Sequence, residues 1–180
     1  DLTDATRWAV QEGIADAKRV CIYGASYGGY ASAMGIAKEP DLYRCAVGYV
    51  GLYDLAMFYR EGDVKESDTG VNYLKRAVGT DPQLLANGSP AKLAERIKAP
   101  IFIAVGGEDV RCPPEQSEAL RKALTREGKT FEWLLVPDEA HGYYKTENNR
   151  KLYTQMLAFF DKYIGAGASA GAGASGAAAP

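Results

Sequence analysis

The five residues from Gly24 to Gly28, GASYG, place a serine between two glycines. They follow a short β-branched run and precede a stretch of small residues, so Ser26 is predicted at a turn from a strand into a helix. Such a turn strains the serine backbone, aims the hydroxyl away from the sheet, and lets the N–H of Tyr27 donate to an oxyanion. The pattern favours Ser26 as a nucleophile, with a structural or phosphate-binding glycine turn as the alternative.

A serine hydroxyl needs a base, and the chain contains one histidine, His141, in PDEAHGYY after a predicted strand. Asp109, in GGEDVRCPP after another predicted strand, is the favoured acid to orient that histidine, with Glu108 and Asp54 as competing carboxylates. The carboxyl ends of parallel strands share one edge of a sheet. We therefore expect Ser26, Asp109 and His141 to lie together.

The elements that must position these residues are predicted from apolar patterns. Four continuously apolar runs are predicted strands: 19–24, 45–51, 100–107 and 131–137. Apolar residues at helical spacing, bounded by glycine and proline, predict helices: 2–14, 30–38, 113–128 and 147–164. Continuous rather than alternating apolar strands indicate a parallel sheet covered by helices on both faces, an α/β fold.

The chain length suits one domain, which we expect to span residues 1–164. Residues 54–99 are polar and rich in turns, and we interpret them as an inserted helical excursion. Residues 165–180 consist of glycine, alanine and serine with a final proline, a composition that predicts a disordered tail.

Charge and hydropathy argue against several classes of partner. Lys and Arg total 21 against 23 Asp and Glu, without a basic stripe, so neither nucleic acid nor an anionic membrane is expected. A small neutral or peptide substrate fits better. No apolar run is long enough for a transmembrane helix, and the first residues do not resemble a signal peptide.

The chain begins with Asp1 rather than Met, which favours a piece of a longer polypeptide; the compartment, cytoplasmic or periplasmic/secreted, stays open. The cysteines Cys21, Cys45 and Cys112 lack the spacing of metal ligands. We expect Cys21 and Cys45 to be buried, reduced thiols.

Three longer stretches resemble the catalytic domain of the prolyl oligopeptidase family of serine peptidases, particularly its dipeptidyl aminopeptidase/acylaminoacyl peptidase branch. They are DLTDATRWAVQEGIADAKRVCIYGASYGGYA, SPAKLAERIKAPIFIAVGGEDVRCPPEQS and EAHGYYKTENNRKLYTQMLAFFDKYI. The resemblance implies a partial α/β-hydrolase fold, its C-terminal half, with parallel strands flanked by helices. It implies Ser26 as nucleophile, Asp109 as acid, His141 as base and the Tyr27 N–H as oxyanion donor, without a metal or cofactor.

The resemblance also implies a substrate pocket lined by Val50, Tyr53 and Tyr59, for which ordinary core packing is an equal alternative. Cys112 stands where the family usually has valine, and Val105-Gly106 where it usually has histidine-glycine; we expect neither departure to touch the three predicted catalytic residues.

The family's β-propeller and the first half of its hydrolase domain do not occur in this sequence. The first strand is therefore expected to present an unpaired, buried edge that needs a partner. That partner is expected to be the N-terminal part of the parent chain, with a homo-oligomer as a further possibility.

The predicted function is a serine hydrolase that cleaves peptide bonds of short peptides through an acyl-enzyme intermediate. One alternative is an esterase or other acyl hydrolase on the same fold, because a fold does not determine a substrate. Another is a catalytically incomplete fragment that needs the missing N-terminal half.

Overall fold

A computed structural model describes residues 1–168 and contains one parallel sheet. Its strands are β1 (Cys21–Ala25), β2 (Cys45–Tyr49), β3 (Ile101–Gly106) and β4 (Phe131–Val136). They lie side by side in the order β1-β2-β3-β4, and each neighbouring pair is parallel. The predicted α/β class and its four strands are confirmed. Of the tail predicted to be disordered, residues 169–180 lie outside the described residues.

Helices lie on both faces of this sheet. The α-helices in the described part of the chain are α1 (Leu2–Gln11), α2 (Tyr27–Lys38), α3 (Asp68–Ala77), α4 (Pro82–Asn87), α5 (Pro114–Arg126) and α6 (Thr146–Ile164), of which α2, α5 and α6 pack on the sheet. Helices α2 and α5 pack on one face with Ile101 and Ile103 of β3. Helix α6 packs on the other face with Phe102 of β3, so that successive β3 residues contribute to two separate apolar clusters. This alternation is typical of a parallel sheet buried on both sides. No helix within residues 1–168 is both long and apolar enough to span a bilayer.

Residues 54–99 form a helical segment between β2 and β3. Helix α3 begins where the Ser67 hydroxyl accepts from the N–H of Gly70, and α4 begins where the Asp81 carboxylate accepts from the N–H of Leu84. An ion pair of 3.0 Å between Arg111 and Asp63 joins the segment to the loop after β3. The segment therefore contacts one of the loops expected to carry chemistry.

Strand β1 is less buried than the sequence predicts. Tyr23 in the centre of β1 is 47% exposed. Trp8 in α1, the helix that precedes β1 in the sequence, is 57% exposed. The reason is the position of the strand, because within residues 1–168 β1 pairs only with β2 and its other edge is open. The prediction of an unpaired edge is thus confirmed, while the prediction that the strand is fully buried is wrong.

Cys21 and Cys45 are joined in a disulfide, so the expectation of two reduced thiols is wrong in this structure. The two residues are direct partners in the register of β1 and β2, and their Cα atoms lie 4.7 Å apart, a separation that a disulfide can bridge. The sequence shows two cysteines in apolar strands but not the register that sets them opposite each other.

Candidate active site

Ser26 lies in the tight turn between β1 and α2, with the positive φ of 57° that few non-glycine residues adopt. The prediction of a strained serine backbone is confirmed. The N–H of Ser26 donates to the carbonyl of Tyr49 at 2.9 Å, which ties the turn to the end of β2. Helix α2 begins at Tyr27, three residues earlier than predicted, so the helix follows the serine without an intervening loop.

The glycines around Ser26 have different reasons to be small. A Cβ atom on Gly24 would lie 2.4 Å from the backbone carbonyl carbon of Gly28, and one on Gly29 would lie 3.0 Å from the Cα of Gly51. A Cβ on Gly28 would meet no heavy atom outside its own helix turn within 4 Å, so packing does not require a glycine at this position. Close approach of strand, turn and helix therefore requires small residues at Gly24 and Gly29.

The side chains of Ser26, His141 and Asp109 form one hydrogen-bonded chain. His141 Nε2 lies 2.9 Å from Ser26 Oγ. On the other side of the ring, His141 Nδ1 lies 3.0 Å and 2.9 Å from the two carboxylate oxygens of Asp109. The side chain of Asp109 is fully buried, while that of His141 is 29% exposed. The structure thus brings these residues together at the carboxyl edge of the sheet.

The proton positions follow from the chemistry of the partners. An ionised carboxylate only accepts hydrogen bonds, so His141 Nδ1 beside an ionised Asp109 carries a proton and donates a hydrogen bond to it. Nε2 of the neutral ring is then left to accept the Ser26 hydroxyl proton. This arrangement can move a proton from the serine oxygen to the imidazole and stabilise the imidazolium that results.

Asp109 also closes the turn that leads into α5. Its Oδ1 accepts from the N–H of Arg111 at 2.9 Å and from the N–H of Cys112 at 2.8 Å. The two competing carboxylates have other positions: Glu108 is exposed, and Asp54 accepts from the N–H groups of Ala56 and Met57 and pairs with Lys92.

The loop that carries His141 is packed directly against the loop after β3. A Cβ on Gly106 would lie 2.2 Å from the carbonyl oxygen of Ala140, so this contact requires a glycine. On the other side of His141, Tyr143 is buried; its hydroxyl donates to the carbonyl of Val105 at 2.9 Å, and its N–H donates to the hydroxyl of Tyr49. Backbone and side-chain contacts therefore fix the loop on both sides of the histidine.

Cys112 contacts the hydrogen-bonded chain, contrary to expectation. Its N–H donates to Asp109 at 2.8 Å, and the residue is 2% exposed. Burial, with a smaller contribution from the Asp109 carboxylate, raises the pKa of the thiol to about 12, while the Ser26 hydroxyl acts in the opposite direction. The sequence does not show the contact with Asp109, because it arises from the turn that follows β3.

The predicted pocket residues do not share one open surface. Tyr53 is fully buried, with its hydroxyl beside Gly48 and Gly51. Val50 is 2% exposed and has a φ of 42°, and Tyr59 donates from its hydroxyl to the carbonyl of Gly79. In this structure Tyr53 has no exposed surface for a substrate, and the roles of Val50 and Tyr59 stay predictions.

Tyr27 occupies the first position of α2, directly after Ser26. The first N–H groups of a helix have no partner within the helix, so the Tyr27 N–H is free of that ladder and lies at the positive end of the helix dipole. Its side chain is 72% exposed. This N–H group therefore remains available as a hydrogen-bond donor beside Ser26.

Known proteins are similar to this chain in sequence and in fold. Dipeptidyl aminopeptidase BIII of Pseudoxanthomonas mexicana is 31% identical over 176 residues, which cover 92% of this chain and 24% of that protein. A puromycin-hydrolyzing peptidase of Mycobacterium tuberculosis matches with a TM-score of 0.81 and 29% identity, over 89% of this chain and 24% of its own. Pyrococcus horikoshii acylaminoacyl peptidase matches with a TM-score of 0.79 and 26% identity, over 88% and 26%.

The chain thus spans about a quarter of the length of these relatives. The model of the prolyl oligopeptidase family matches residues 1–167, which include every residue of the site. The chain therefore belongs to the prolyl oligopeptidase family.

Proposed function

We propose that this chain carries the catalytic residues of a serine peptidase that cleaves peptide bonds of short peptides. The observation that supports the proposal best is the continuous hydrogen-bonded chain from Asp109 through His141 to Ser26. The similar proteins are named as a dipeptidyl aminopeptidase, an acylaminoacyl peptidase and a puromycin-hydrolyzing peptidase, and these names support hydrolysis of amide bonds.

In the acylation step, His141 Nε2 takes the proton from Ser26 as the serine oxygen bonds to the carbonyl carbon of the substrate. The carbonyl oxygen becomes negative and accepts a hydrogen bond from the Tyr27 N–H. The imidazolium, held by Asp109, then gives its proton to the leaving nitrogen as the carbon–nitrogen bond breaks. The product amine leaves, and an ester of Ser26 remains.

In the deacylation step, His141 takes a proton from a water molecule whose oxygen bonds to the ester carbon. The bond between that carbon and Ser26 breaks, and the imidazolium returns the proton to the serine oxygen. The second product is a carboxylic acid, and the enzyme regains its starting state.

Labelling with a fluorophosphonate, read by intact mass, tests this proposal. We expect one adduct on the wild-type chain and none on Ser26→Ala or His141→Ala. Asp109→Asn should slow labelling by up to ~10⁴-fold, as in other Ser-His-Asp sites, because an amide no longer fixes the histidine tautomer. Glu108→Gln is the matched control and should label at the wild-type rate, because Glu108 is exposed.

An adduct that persists on Ser26→Ala would contradict the assignment of the nucleophile. If the wild-type chain does not label at all, the chain alone lacks a working site, and the reading as an incomplete fragment is favoured. If the wild-type chain labels, comparing kcat/KM for an aminoacyl nitroanilide and a simple acyl ester decides between peptidase and esterase. Strong preference for the ester contradicts the peptidase proposal.

A further inference from the structure

Glu139 is a buried carboxylate that the proposed mechanism does not use. It lies two residues before His141 and is 2% exposed. Carboxylates are almost never fully buried unless they are paired or hydrogen-bonded, because loss of water is costly for a charge. The contacts of this side chain therefore call for an explanation.

The carboxylate of Glu139 binds the residues that follow His141. Its Oε2 accepts from the N–H of Tyr144 at 2.7 Å, and its Oε1 accepts from the N–H of Lys145 at 2.9 Å. The Asn148 side chain, in the first turn of α6, donates to Oε1 at 2.8 Å. The side chain thus closes the histidine loop into a ring, from a residue before His141 to residues after it.

The backbone of Glu139 binds the loop that carries Asp109. Its carbonyl accepts from the N–H of Glu108 at 2.8 Å. A Cβ on Gly106 would lie 2.5 Å from the same carbonyl oxygen, so the two loops approach as closely as backbone permits. One residue therefore connects the loop of the base, the loop of the acid and the start of α6.

The charge of Glu139 is stabilised where it lies. Burial raises the pKa of a carboxyl, but the hydrogen bonds from Tyr144, Asn148 and Lys145 together outweigh it and hold the pKa of Glu139 below its usual value of 4.5. The carboxylate also lies at the N-terminus of α6, where the helix dipole favours a negative charge. The charged form is therefore the one that holds the loop.

We propose that Glu139 is a positioning residue, which holds His141 between Asp109 and Ser26 by closing the loop around it. The inference rests on the proposed function for its consequence in catalysis. Gly142 follows His141 directly and has a φ of 116°, a conformation that other residues adopt rarely. Because glycine is conformationally permissive, the backbone next to His141 is not restrained by its own residue type, and contacts elsewhere in the loop must restrain it. Glu139 supplies such contacts from three donors.

Glu139→Gln tests the proposal, because it keeps the size of the side chain, removes the charge and turns an amide N–H₂ toward at least one N–H donor. Asp138→Asn is the matched control in the same loop, since Asp138 is exposed and its carboxylate pairs with the Lys145 side chain at the surface. The first readout is the NMR signal of the Nδ1 proton of His141. The chain has one histidine, so labelling with ¹⁵N-histidine assigns the signal directly.

We expect a protected, downfield Nδ1 proton in the wild type and in Asp138→Asn. In Glu139→Gln the signal should broaden or disappear through exchange with water, and the rate of fluorophosphonate labelling should fall by on the order of 10- to 100-fold, because displacement by ~1 Å can cost that much. A purely structural role would lower the melting temperature but leave the histidine signal of the folded protein unchanged.

Unchanged signal and labelling rate in folded Glu139→Gln would overturn the proposal. Absence of the protected Nδ1 proton in the wild type would also overturn the proposal. The proposed function is tested separately, by fluorophosphonate labelling of Ser26 in the wild type. If Glu139→Gln does not fold, Asn148→Ala replaces it. That variant removes one of the donors at the surface of α6 and should broaden the histidine signal partially; an unchanged signal would contradict the proposal.

Discussion

The carboxylate of Asp109 serves two sets of donors at once. Backbone N–H groups of Arg111 and Cys112 bind Oδ1, and His141 Nδ1 lies within hydrogen-bonding distance of both oxygens. A carboxylate offers about four lone-pair sites, so these contacts do not compete. The backbone bonds fix the carboxylate in the orientation that the histidine needs.

The reactivity of the cysteines is a prediction at the scale of residues. With its pKa raised to about 12, the buried Cys112 stays a neutral thiol near neutral pH, and only the thiolate is a strong nucleophile. We expect the folded, unreduced chain to take up no iodoacetamide, even though Cys112 contacts Asp109 in the candidate site. Intact mass spectrometry measures the number of adducts.

The same experiment tests the disulfide. Because Cys21 and Cys45 are joined, the denatured, unreduced chain should take one adduct, and reduction before denaturation should raise the number to three. Three adducts without reduction would show that the disulfide is absent in solution. An adduct on the folded chain would contradict the burial of Cys112.

At the scale of elements, the histidine loop is the part of the site that depends most on contacts distant in sequence. Patterns of apolar residues predicted β4 and α6, and they indicated that a loop with His141 connects them. They could not predict that Glu139 would be buried, because a glutamate in PDEAHGYY reads as a surface residue. Its burial follows from the close approach of Gly106, which only the folded sheet brings about.

The pH dependence of stability should reflect Glu139. A carboxyl whose pKa is lowered on folding stabilises the native state above its unfolded pKa, and the contribution is lost as pH falls through the folded pKa. The wild type should therefore melt higher than Glu139→Gln at neutral pH, and the difference should shrink as pH falls below 4.5, the usual value for glutamate. Thermal melts followed by circular dichroism at several pH values measure this.

Other titratable groups near Glu139 do not account for this pH-dependent difference in melting temperature. Asp138 also has a lowered pKa, chiefly through its bond with Lys145, but it is retained in both proteins and cancels in the comparison. Burial raises the pKa of Tyr49 to about 12 and also raises that of Tyr143, so neither changes charge at acid pH. A difference in melting temperature that stays constant from neutral to acid pH would contradict a role for the Glu139 charge.

At the scale of the whole molecule, the parallel sheet and the open edge of β1 could be predicted, while the exposure of that edge could not. Continuous apolar runs predict strands that are covered, yet Tyr23 is exposed because, within residues 1–168, no strand pairs with the outer edge of β1. The chain spans about a quarter of its relatives. We propose that the preceding part of the parent protein pairs with β1.

Without that segment, the chain should associate through the open edge, because unpaired strands are templates for pairing. We expect sedimentation coefficients to rise with concentration for the wild type. Tyr23→Lys, which places a charge on β1, should reduce the rise. Tyr73→Lys, which alters a tyrosine on α3 that is 58% exposed, should not. A wild-type chain that sediments as a monomer at all concentrations would contradict association through the open edge of β1.

The separation of Ser26 and His141 by 115 residues has a consequence for folding. Each strand pair joins distant parts of the chain, and topologies dominated by such contacts fold slowly because loop closure precedes the gain from pairing. The serine comes from the outermost strand and the histidine from beyond the opposite one. We therefore expect their hydrogen bond to form only after all four strands have assembled.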